Sequence, residues 1–86
     1  MLVIIVYDVG TKRNPKVLKT CRKYLPHVQK SVFEGYITEG QLNKLKNELR
    51  NIIDTKEDSI IIYRFDSSKY SAKEYIGVHD EVTNIL

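Results

Sequence analysis

Leu2-Val3-Ile4-Ile5-Val6-Tyr7-Asp8 is the stretch that decides the fold. Its residues are β-branched and apolar up to a terminal acid, the signature of a buried strand. Side chains alternate across a strand, so Leu2, Ile4 and Val6 point one way and Val3, Ile5 and Tyr7 the other. Both faces are therefore apolar, as in a strand covered on two sides. Gly10 and Thr11 break the strand. Asn14-Pro15 then reads as a helix N-cap with proline in the first turn. Val17, Leu18, Cys21, Tyr24 and Leu25 form an apolar helical stripe, which Pro26 stops.

Further along, Val28–Ile37 has alternating character and reads as a second strand. Thr38 and Gln41 have capping-box spacing. Leu42, Leu45, Leu49, Ile52 and Ile53 make the buried stripe of a second helix. A polar turn, Asp54–Asp58, leads to a third strand, Ser59–Phe65. Ser67–Ser71 reads as a loop and Glu74–Val78 as a short fourth strand. The order is that of an α+β, ferredoxin-like βαββαβ sandwich with an antiparallel sheet. Two helices cover only one face of such a sheet. The third strand also carries apolar residues on both sides: Ile60 and Ile62 against Ile61, Tyr63 and Phe65. A second copy is the simplest cover, so a homodimer packed through its sheet faces is expected. Residues 1–86 read as one domain, with 74–86 an edge strand and tail contacting the partner protomer.

The 86 residues are 42% hydrophobic and 29% charged, which is globular rather than disordered composition. The longest apolar run, Met1–Tyr7, is far short of the ~20 residues that span a bilayer, and no signal-peptide pattern precedes it. No membrane partner is expected. The single cysteine, Cys21, excludes an internal disulfide and points to the cytoplasm. The net charge of +3 is unevenly placed. Residues 12–50 hold ten bases against three acids, whereas residues 51–86 hold four against seven. No acid lies between Lys12 and Lys30. Such a one-signed segment attracts polyanions, and Lys12, Arg13, Lys16, Lys19 and Lys23 are its candidate nucleic-acid contacts. The alternative is a solvated, lysine-rich helix face.

Asp8 directly follows a buried strand and opens onto the basic helix. A carboxylate there suits Mg²⁺ beside phosphates. In a two-fold dimer, two Asp8 side chains near the axis can share one ion. The plainer reading is a strand-end Asp accepting turn hydrogen bonds. His27 and His79 have no partner at metal-ligand spacing, and Cys21 falls on the apolar stripe. No Ser-His-Asp or His-Cys-Asn set is present. A small-molecule or acylphosphatase-like use of the fold needs a glycine-rich anion loop with a nearby Arg, which the chain lacks.

Taken together, Met1–Val9, the basic helix, the block Val28-Gln29-Lys30-Ser31-Val32-Phe33-Glu34-Gly35 and Asp58–Tyr63 closely resemble the small CRISPR-associated protein of the spacer-acquisition machinery, Cas two. The resemblance covers nearly the whole chain. It implies a ferredoxin-like homodimer and a metal-dependent endoribonuclease, in some members a double-strand DNase. Mg²⁺ then sits on the strand-one aspartate, making Asp8 the metal ligand and catalytic residue. It also implies a non-catalytic role, bridging two dimers of the CRISPR integrase, Cas one, while holding duplex DNA. Single-stranded RNA and duplex DNA are thus both implied substrates. Arg13 and Lys16 occupy the helix-start region where relatives place arginines, and Ser31 and Phe33 match the strand-two block as supporting residues. Asn14-Pro15 departs from the arginine run of many members, and Lys16 offers a point charge in place of a guanidinium fork.

Overall fold

The computed structural model describes residues 1–66 and 69–78. Its elements run β1 (Leu2–Asp8), α1 (Asn14–Arg22), β2 (His27–Gln29), β3 (Val32–Tyr36), α2 (Glu39–Ile52), β4 (Ser59–Asp66) and β5 (Lys69–Gly77). They form a five-stranded sheet of order β2-β3-β1-β4-β5. Every neighbouring pair is antiparallel. Strands β1 to β4 have the ferredoxin-like order, with β5 added at the edge beside β4.

The fourth strand that this topology needs comes from the segment read as one strand over residues 28–37. It is a hairpin: β2 turns back through Lys30-Ser31 onto β3, with Gln29 opposite Val32 and His27 opposite Phe33. The segment holds no Asn-Gly, Asp-Gly or Gly-Gly pair, the usual marks of a two-residue hairpin, so only the polar run Gln29-Lys30-Ser31 signals the turn. The final strand is longer than expected, nine residues rather than five, and takes in backbone assigned to the loop. It pairs with β4 of its own chain, Ser59 opposite Gly77 and Ile62 opposite Glu74. Of the segment 74–86 expected to contact a partner, residues 74–77 pair here with β4 of their own chain, and residues 79–86 lie outside the described residues.

The first helix also starts differently. Its N-cap is Arg13, with no side-chain cap bond, and Pro15 falls at the start of the first turn. The amides of Arg13 and Asn14 both donate to the Gly10 carbonyl. In α2 the expected capping box is present: the Thr38 hydroxyl accepts from the Gln41 amide at 3.1 Å, and Gln41 Oε1 accepts from the Thr38 amide. Such a box contributes roughly 1 kcal/mol.

Both helices pack on one sheet face. There Val3, Ile5 and Tyr7 of β1, Phe33 of β3, and Ile60 and Ile62 of β4 meet Val17 and Cys21 of α1 and Leu42, Leu45 and Leu49 of α2. Away from the helices lie Leu2, Ile4 and Val6 of β1 with Ile61, Tyr63 and Phe65 of β4, all only half-buried. At that face's corner Tyr36 is 80% exposed. A charged tie fixes β5 under α2: Lys46 donates to Glu74 at 2.8 Å, and Arg64 bonds both Glu74 and Glu39. Burial raises the Glu74 pKa, but its bonds with Lys46 and Arg64 prevail and hold it below the usual value.

Candidate functional site

Asp8 ends β1 on the face away from the helices, in line with Val6, Ile4 and Leu2. Its cross-strand partner is Ser59, and Ser59 faces Gly77 on β5. On the other side the Tyr7 amide donates to the Ser31 carbonyl at 3.0 Å, which places the β2–β3 turn beside the end of β1. The Asp8 carboxylate is exposed and has no hydrogen-bond or ion-pair partner among the described residues. The plainer reading, a turn-capping Asp, thus has no bond behind it. Also among the described residues, no three His, Cys, Asp or Glu side chains gather as a metal cluster. Asp8 therefore offers one free, hard oxygen-donor group, and Mg²⁺ is commonly held by one or two such carboxylates together with substrate phosphates.

A different acid organises the loop that follows Asp8. Asp58, at the end of the α2–β4 turn, is 1% exposed. Its Oδ1 accepts from the Gly10 amide at 2.9 Å and from Arg13 Nη2 at 3.0 Å. Its Oδ2 accepts from Arg13 Nε at 2.5 Å and from the Asp54 amide at 2.9 Å. The guanidinium fork, with burial working against it and the Asp54 and Gly10 amides adding to it, holds this carboxyl far below the usual carboxylate range. Two glycines let the knot close. A Cβ on Gly10 would come within 2.7 Å of Arg13 Nη2. Gly77 has φ +88°, and a Cβ there would lie 2.1 Å from the Asp58 carbonyl, which also accepts from the Val78 amide at 2.9 Å. Reading Asp54–Asp58 as a mere polar turn misses this residue. Its available signal is an acid immediately before a buried strand, in a chain with an arginine three residues after a loop glycine.

The expected basic contacts separate into two groups. Lys12 in the β1–α1 loop and Lys16 and Lys19 on α1 are exposed, with no ion-pair partner among the described residues. Arg13 and Lys23 are engaged. Arg13 holds Asp58 and lies 3.9 Å from Glu57, while Lys23 pairs with Glu48 of α2. The Tyr24 hydroxyl also donates to Glu48, and these two bonds hold the Glu48 carboxyl below its ordinary value. Arg22, exposed in the last turn of α1, extends the open basic surface and is absent from the expected set.

Ser31 and Phe33 stand on the β2–β3 hairpin beside β1. Ser31 sits in the hairpin turn against β1, whereas Phe33 is fully buried between Tyr7 and His27, its ring 6.2 Å and 4.7 Å from theirs. His27 is exposed, with Nε2 3.0 Å from the Lys30 carbonyl. Cys21 is buried, and desolvation pushes its thiol up to about 12, so it stays protonated and unreactive at neutral pH. No helix among the described residues is long and apolar enough to cross a membrane.

Residues 1–73 match the family model described as CRISPR associated protein Cas2. The chain belongs to the Cas2 family. It is 51% identical over 78 residues to the CRISPR-associated endoribonuclease Cas2 of Thermotoga maritima, covering 91% of this chain and 90% of that one. Its identity to the protein of the same name from Dictyoglomus turgidum is 49%, with the same coverage. The crystal structure of Streptococcus pyogenes Cas2 superposes with a TM-score of 0.71 at 40% identity, covering 77% of this chain and 87% of that one. Family membership agrees with the sequence resemblance and with the ferredoxin-like sheet. The matched span takes in Asp8, the basic helix and Asp58 together.

Proposed function

We propose that the chain is a Mg²⁺-dependent nuclease of the CRISPR adaptation machinery, acting as a two-fold dimer packed through its open sheet face. The observation that carries the reading is the position of Asp8, unpaired among the described residues and at the end of an apolar face that neither helix covers. A second copy on that face buries Leu2, Ile4, Val6, Ile61, Tyr63 and Phe65. It also brings a second Asp8 to the same end, giving two carboxylates for one ion. Bound there, Mg²⁺ supplies charge neutralisation and a polarised water at a phosphodiester. Lys12 and Lys16, on the loop and helix that follow Asp8, attract the phosphate backbone without reading bases. RNA is the substrate indicated by the names of the relatives, and duplex DNA is the polyanion that the basic helix also suits. The chain acts in the cytoplasm, where Cys21 stays reduced.

A second reading has its own support: among the described residues, no group of three His, Cys, Asp or Glu side chains gathers around Asp8. In that case the dimer is a non-catalytic bridge that holds duplex DNA between two integrase dimers. The substitution Asp8→Asn separates the two. It keeps the side chain's shape and removes the charge that holds Mg²⁺. A nuclease loses the cleavage that Mg²⁺ supports and EDTA stops, while duplex binding stays equal or tightens. Undiminished cleavage by Asp8→Asn rules out this metal site.

A further inference from the structure

We propose that Asp58 is a positioning residue for the Asp8 site: from inside the sheet's end it fixes the β1–α1 loop, and so the placement of Asp8, Lys12 and Lys16 against a phosphate backbone. The proposal rests on the reading of Asp8 as the metal ligand. Both carboxylate oxygens of Asp58 are saturated, each accepting two bonds. Nothing remains for a substrate or an ion, so Asp58 acts only through what it holds. What it holds is specific. The Gly10 amide is two residues beyond Asp8, and the Arg13 fork flanks Lys12 and opens α1 one turn before Lys16. The next residue, Ser59, is the cross-strand partner of Asp8. One short stretch therefore grips Asp8 from the strand side and its loop from the helix side.

A buried ion pair is a poor way to gain stability, because desolvation offsets the attraction. It is a good way to fix geometry, because both carboxylate oxygens and the planar fork constrain direction as well as distance. Arg13, which lies in the acid-free basic segment, is thereby withdrawn from phosphate contact. Its neighbours Lys12 and Lys16 stay outside with free ammonium groups. Arg13 and Asp58 set the frame, and the lysines and Asp8 use it.

The test is Asp58→Asn, studied where circular dichroism shows the variant and wild type equally folded. In EDTA, duplex DNA binding is measured across a salt series. Loss of the contacts of Lys12 and Lys16 flattens the slope of log K against log salt by about 1.8 for each protomer that touches the duplex. With Mg²⁺, the rate of RNA cleavage per folded dimer falls on the order of 10²-fold, the scale of an ångström misplacement, and half-saturation by Mg²⁺ moves to higher concentration. A merely structural role leaves the slope and the Mg²⁺ half-saturation at wild-type values and lowers the rate only with the folded fraction; that result overturns the proposal. If Asp58→Asn does not fold, Gly10→Ala carries the same measurements, since its Cβ displaces the fork while leaving Asp58 in place. Wild-type cleavage that survives Asp8→Asn defeats the nuclease reading and leaves the EDTA arm to judge Asp58. Wild-type protein that binds no duplex in EDTA defeats both.

Discussion

Ile61 and Ile62 are neighbours on β4 with the same side chain and opposite surroundings. Ile62 is fully buried beneath the helices, whereas Ile61 faces outward beside Val6 and Tyr75 and is half-buried. The same contrast runs along β1, where Val3, Ile5 and Tyr7 are covered and Leu2, Ile4 and Val6 are not. Apolar composition alone does not distinguish the two faces. What distinguishes them is that two amphipathic helices in 86 residues cover one side of a five-stranded sheet. The covered face holds the chain together, and the open face is the one on which the proposed second copy packs. The site sits where the two meet, with Asp8 at the end of the open face and Asp58 buried behind the loop.

The largest effect belongs to the covered face. Ile62→Lys puts an unpaired charge into an apolar core, which costs more than about 4 kcal/mol. That is close to the entire stability of a domain this small, so the variant should fail to show a cooperative unfolding transition. A cooperative transition near that of wild type would erase the distinction between the faces.

The junction comes next. Asp58→Ala strands the Gly10 and Asp54 amides and the Arg13 guanidinium, and should lose about 3–5 kcal/mol in urea unfolding. The pH dependence sharpens the assignment. The folded-state pKa of Asp58 is depressed, so its contribution is present above the unfolded value near 4 and is lost as pH falls through the folded value. The stability gap between wild type and Asp58→Asn should therefore be full at neutral pH and shrink progressively below about pH 4. A gap that is constant with pH would remove the ion pair as its cause.

The two faces were not equally legible in the sequence. The helices, their stripes and the capping box at Thr38 follow from spacing, because a 3.6-residue period and a cap pair are local signals. The paired apolar faces of β1 and β4 were legible for the same reason. The β2–β3 turn was not, because its only trace is the polar run Gln29-Lys30-Ser31, with none of the glycine dipeptides that mark tight hairpins. Nor was the division of the basic segment. Arg13 and Lys23 look like Lys12, Lys16 and Lys19 in sequence, and only partners 45 and 25 residues away, Asp58 and Glu48, neutralise their charges. Long-range pairing of charges leaves no periodic trace. Asp8 could be read because a strand end positions it; Asp58 could not, because its role depends on the Gly10, Arg13 and Gly77 positions meeting in space.

The most direct measurement is sedimentation velocity of wild type and Ile61→Lys at micromolar concentration. Ile61→Lys places its charge on the open face, where a single chain leaves it in contact with water. The expected result is a wild-type dimer and an Ile61→Lys monomer that keeps the wild-type circular dichroism spectrum. A well-folded wild-type monomer, or an Ile61→Lys dimer as tight as wild type, would contradict the assignment of the open face to a second copy. It would also leave Asp8 without the partner carboxylate on which the proposed metal site depends.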